Sequence, residues 1–142
     1  MKWLVLLLAL TTTVVRAAPA TTGGQGPGQR LAEINTQIEA LSGKINFAAA
    51  NRESVERAIR RFHEDNQAAF ARQAKRGLDQ EGWGRIQTSV TQSGTRLNKA
   101  LDGLVPPEQQ PLVSELVTLM RQSFLLRMRI QAFQQRRRDD NN

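Results

Sequence analysis

Apolar residues recur along this chain at helical intervals. Leu31, Ile34, Ile38, Leu41, Ile45 and Ala48 step by three and four residues, which puts them on one narrow stripe of an α-helix. Val55, Ile59, Phe62, Ala69 and Phe70 continue the phase beyond Arg52. Asn51 and Arg52 interrupt the stripe, and Asn51 is a residue type suited to capping a new helix. The pattern predicts helices over 30–50 and 52–76, with one unbroken helix over 30–76 as the alternative. Gly43 falls inside the first of them and costs about 1 kcal/mol relative to alanine.

Gly77 ends this region, and Gly82-Trp83-Gly84 reads as the turn beyond it. Trp83, Ile86, Val90, Leu97, Leu101 and Leu104 predict a third helix over 84–104, stopped by Val105-Pro106-Pro107. The last predicted helix, 107–137, differs from the others. Leu112, Leu116, Leu119, Leu126, Ile130 and Phe133 make one stripe; Val113, Val117, Met120, Phe124 and Met128 make a second beside it. Together they cover roughly 220° of the helix. Such a helix is either the centre of the fold or carries a second apolar contact, with lipid or with a second copy of the chain.

No alternating strand pattern bounded by hairpin turns occurs, so the fold class is all-α. Matching helix lengths and short connections favour a small antiparallel four-helix bundle, up-down-up-down. Three long helices are the alternative, and would leave part of 30–76 needing a second chain.

Ahead of the helices, Lys2, the apolar run Trp3 to Leu10 and the small residues around Ala17 and Ala20 have the form of an export signal over 1–20. Cleavage after Ala17 and after Ala20 are both reasonable. A Gly/Pro linker over 21–29, a bundle domain over 30–138 and a polar tail over 139–142 complete the expected organisation. The chain is therefore expected to be secreted and extracellular, or periplasmic if bacterial. It has no cysteine, so its stability must come from packing without disulfides. Loss of the leader lowers the formal charge from +7 to about +5, and Lys44, Lys75 and Lys99 would be its only lysines. The basic excess is thus arginine, a planar donor suited to carboxylate, phosphate or sulfate.

The candidate chemistry is sparse. One histidine, His63, and no cysteine disfavour a zinc site, and Arg60 stands where a di-iron bundle would need the glutamate before His63. No carboxylate interrupts an apolar stripe, so no catalytic, cofactor or metal-binding residue is assigned and no enzyme is expected. The charged stretch Arg52 to Asp65 reads as a solvent-facing helix side, with Glu53–Arg57 and Glu56–Arg60 pairs one turn apart.

In an up-down bundle the ends of the second and fourth helices share a pole. That pole would gather Arg72, Lys75, Arg76, Trp83, Arg85, Arg136, Arg137 and Arg138. Cations at helix C-termini are also favoured by the helix dipole. The expectation is a non-enzymatic interaction protein that binds an acidic extracellular protein or polyanion at this basic pole, with a homodimer through 107–137 as an option. Nucleic acid is disfavoured by export.

The alternative is a protein of lipid surfaces. Exported, helical and without disulfides, the chain resembles in type the exchangeable apolipophorins, a likeness of composition and periodicity that no motif narrows to that family. It would imply amphipathic faces that open onto lipid.

Overall fold

The structure, a computed structural model, describes residues 26–142. The expected leader and the first part of the expected linker lie outside the described residues. Four α-helices follow in order: α1 (Pro27–Ser42), α2 (Arg52–Ala74), α3 (Gln80–Asp102) and α4 (Gln110–Asp140). Short 3-10 turns, Ala49–Asn51 and Pro107–Gln109, precede α2 and α4. There is no strand among the described residues, and the molecule is an all-α bundle.

The helix boundaries correct the sequence reading in physical ways. α1 starts at Pro27, inside the expected linker, because proline presets the helical φ and Gly26 is extended before it. It stops at Ser42 rather than near residue 50, with Gly43 at its C-terminus. Ile45 and Phe47 are buried from the irregular segment that follows, while Ala48 is exposed. The unbroken 30–76 helix is thereby excluded. Asn51 closes a 3-10 turn and its side chain makes no cap.

Gly77, with φ of +80°, breaks the chain after α2. Gly82-Trp83-Gly84 is not a turn but the first turns of α3, because the Asp79 side chain caps the helix by accepting from the Gly82 N–H at 2.7 Å. α4 runs on to Asp140, so Asp139 and Asp140 of the expected tail are helical.

The main seams are α2 against α3, α3 against α4, and α1 against α4. Cross-helix bonds fix their directions. Ser123 donates to Asn35 at 2.9 Å, and the Asn46 N–H donates to Gln109 at 2.7 Å, so α4 descends as α1 rises. Asn66 on α2 meets Ser93 on α3, and Phe70 meets Trp83, so this pair is antiparallel too. One hydrophobic core runs through all four helices, with Ile38, Val55, Ile59, Ile86, Leu101, Val113 and Leu116 fully buried. The Phe62 and Phe124 rings meet edge to face at 6.4 Å across the diagonal from α2 to α4.

α4 explains its two stripes by position. Val113, Val117, Met120, Phe124 and Met128 are buried, as is Leu116 from the other stripe. Leu112, Leu119, Leu126 and Ile130 are half-buried, and Phe133 is exposed. α4 spans about 46 Å against about 24 Å for α1, so the four helices do not match in length.

A polar residue sits in this core. Asn66 is fully buried; its amide donates to the Phe62 carbonyl at 2.8 Å and to Ser93 at 2.7 Å, and its carbonyl oxygen accepts from the Ser89 hydroxyl at 3.1 Å. Asn66→Ala removes the cross-helix partner of the buried Ser93 and the half-buried Ser89 hydroxyls and opens a small cavity. It is expected to cost about 2–3 kcal/mol in denaturant unfolding. A destabilisation below about 0.5 kcal/mol would contradict the packing described.

Candidate functional site

The C-terminal turns of α4 reach the loop between α2 and α3, where Arg136 donates to the Leu78 carbonyl at 2.9 Å. The ends of α2 and α4 and the start of α3 therefore share one pole. The residues expected there separate into groups. Arg72, Lys75 and Arg76 are exposed around the end of α2. Arg85 is drawn to Glu81 one turn back on α3. Arg137 lies over the Phe133 ring, 5.3 Å from its centroid, and Arg138 is exposed.

Trp83 and Arg136 come together in a groove of 600 Å³ between α3 and α4, a volume within the range of ligand clefts. α3 contributes Gln80, Trp83, Gly84 and Gln87; α4 contributes Arg129, Ala132, Phe133 and Arg136. Each set follows the same spacing of three, one and three residues, which is one face of a helix. Trp83 is half-buried: it packs on the core beside Phe70, at 6.2 Å between ring centroids, and its outer part is a wall of the groove. It thus belongs to the core packing and to the groove lining at once. The Arg129 guanidinium stands 5.9 Å from the Trp83 ring centroid, a cation–π distance. No carboxylate lines the groove.

Arg129 and Phe133 were missing from the pole expected from sequence. Their signal was the repeat Arg129-Ala132-Phe133-Arg136 alongside Gln80-Trp83-Gly84-Gln87, but only the α3–α4 pairing sets the two faces together.

Two smaller clefts carry less chemistry. One of 400 Å³ between α3 and α4 is lined by Asn98, Lys99, Asp102 and Arg121, where one Asp102 carboxylate oxygen is buried without a hydrogen bond. One of 240 Å³ between α2 and α3 lies beside the Asp65–Arg96 pair. Of the expected ion pairs, Glu53–Arg57 forms at 2.6 Å, whereas Glu56 turns to Arg52 at 3.0 Å instead of to Arg60.

His63 departs from the expected solvent-facing side. It is half-buried, its ring edge-to-face with Phe62 at 5.4 Å, and its Nε2 is buried without a hydrogen-bond partner. Burial first, and the nearby Arg127 guanidinium second, push its pKa down to about 4. Such an imidazole is neutral at physiological pH and faces a cation, not a carboxylate. No group of three or more acidic or histidine side chains able to hold a metal occurs among the described residues. No helix there is long and apolar enough to cross a membrane.

Comparison with protein-family models, curated proteins and solved structures finds no match to this chain.

The His63 shift has a definite consequence for stability. The unfolded chain binds this proton near pH 6.5 and the folded chain near 4, so the contribution is fully present above about 6.5. It is lost as pH falls from there through 4. Between about pH 7 and 4 the loss is on the order of 3 kcal/mol. Urea unfolding of the wild type and of His63→Gln across this window should show the wild type losing more; parallel curves would contradict the assignment.

Proposed function

We propose that this is a secreted binding protein without catalytic activity, whose basic pole holds an acidic or polyanionic extracellular partner. The observation that carries this reading is the groove where Arg129 and Arg136 stand with Trp83 and Phe133 and no carboxylate among the lining residues. Arginine beside aromatic rings gives charge, planar hydrogen bonding and apolar contact in one place, the combination common at binding hot spots. Arg72, Lys75, Arg76, Arg137 and Arg138 are exposed at the same end of the bundle; with Arg129 and Arg136 they outnumber Asp79, Glu81, Asp139 and Asp140 there and leave a net positive field that draws an anionic partner in.

The reading without catalysis draws on the setting of His63. Its imidazole lies near the Arg127 guanidinium and its Nε2 has no hydrogen-bond partner, which is not the setting of a general base held by a carboxylate. The lipid-surface reading has less to draw on. The apolar faces of α4 are buried or half-buried in the bundle, and Phe133 is the exposed large apolar side chain of the described residues. The same holds for a homodimer through 107–137, which would have to form on a largely occupied helix.

Retention on heparin-agarose, read as elution against salt, tests the proposal. The wild type should bind with a clear salt dependence. Changing Arg136, Arg137 and Arg138 together to Gln should move elution to lower salt, with the salt slope falling by about one for each arginine that had paired with a sulfate. Retention that ignores salt, or is unchanged by these substitutions, would contradict it.

A further inference from the structure

The glycines of α3 are not equivalent. A Cβ added at Gly82 would lie 3.2 Å from the capping Asp79 carboxylate, and one at Gly94 would lie 2.5 Å from the Arg121 side chain. Both positions are closed by neighbours. Gly84 is different: a Cβ there would meet nothing within 4 Å, and its backbone is not in the left-handed region. Within a helix, glycine is disfavoured against alanine by about fivefold in equilibrium constant. Neither packing nor backbone geometry accounts for it at this position.

The space over Gly84 is the groove itself. Gly84 and the small, buried Ala132 line it with Trp83, the exposed Phe133 ring, Arg129, Arg136 and two glutamines. The open space over Gly84 is thus a hole in a groove that combines aromatic rings with two guanidinium groups. Arg136 donates to the Leu78 carbonyl and Arg129 stands at a cation–π distance from the Trp83 ring, contacts that bias both cations toward the groove.

We infer that the groove takes an acidic peptide segment of a partner protein, which seats one large apolar side chain over Gly84 while flanking carboxylates meet Arg129 and Arg136. This rests on the proposed role of the basic pole and narrows it. A sulfated polysaccharide would satisfy the arginines but has no apolar group to fill the hole. The missing carboxylates in the lining and the aromatic walls together favour an acidic chain with an apolar anchor.

The test uses the full chain carrying Trp3→Phe, which leaves Trp83 as its one tryptophan. Its emission is followed during titration with three probes: a polyglutamate peptide with one central phenylalanine, the same peptide with alanine there, and heparin. The phenylalanine peptide should bind at least about tenfold more tightly than the alanine peptide, the size expected for burying one aromatic side chain. Gly84→Leu should abolish that preference by filling the hole. Gly84→Ala, the milder variant, should raise the melting temperature and reduce the preference in part.

Equal binding of the two peptides, or an undiminished preference in both Gly84 variants, would overturn the inference. If heparin still binds, the basic pole stands without the anchored peptide. If no probe binds, both readings fail. A concentration-dependent dimer of the unliganded chain that Gly84→Leu dissolves would also overturn it, by assigning the groove to a second copy.

Discussion

The burial of one face of α4 is the constraint on which the rest of the structure depends. Val113, Leu116, Val117, Met120, Phe124 and Met128 are all within the core. α4 forms seams with both α1 and α3, and Phe124 reaches across to Phe62 of α2. A helix in that position needs a broad apolar arc, and this is why its sequence carries two stripes. With no cysteine in the chain, such burial is the main force opposing the conformational entropy of unfolding. Its register also places the groove between α3 and α4. Because α4 outruns its neighbours, its last turns arrive beside the start of α3, where Arg136 meets the Leu78 carbonyl.

Polar groups in the interior follow two different logics. Asn66 is satisfied by Phe62, Ser89 and Ser93, so it ties α2 to α3 at one register. A slip of either helix would strand those groups, which makes the network a device of specificity as much as stability. His63 beside Arg127 is the opposite case. Burial of an imidazole next to a guanidinium is tolerable only because the imidazole gives up its proton. That turns a position within a highly charged stretch into a neutral, half-buried contact beside the Phe62 ring.

The apolar stripes were legible because periodicity records which helix face is buried. They gave the all-α class, the number of helices and most of the core. Periodicity does not record whether a buried side chain belongs to a helix. Ile45 keeps phase with Leu41 yet packs from an irregular segment beyond Gly43. The start of α3 was hidden because two glycines flank Trp83, and the deciding contact is the Asp79 cap on Gly82. Asn66 stands at an apolar position but carries no apolar signal. His63 looks solvent-facing from its neighbours, and its burial depends on α4, which lies far along the chain. That the ends of α2 and α4 share a pole was legible from helix counting, but the groove there was not. Arg129 and Phe133 join Trp83 only through the α3–α4 pairing, and pairing register is a property of the packed core.

The groove thus inherits its geometry from the same packing that holds the bundle together: α3 presents Gln80, Trp83, Gly84 and Gln87, and α4 presents Arg129, Ala132, Phe133 and Arg136. The central claim is that α4 is the spine of a single cooperative bundle. Native-state hydrogen exchange on the full chain tests it most directly. The account predicts that backbone amides from Val113 to Met128 exchange among the slowest, with the same opening free energy as those around Ile59 on α2 and Val90 on α3. Exchange of the α4 amides through a separate, low-energy opening while α2 and α3 stay protected would contradict it.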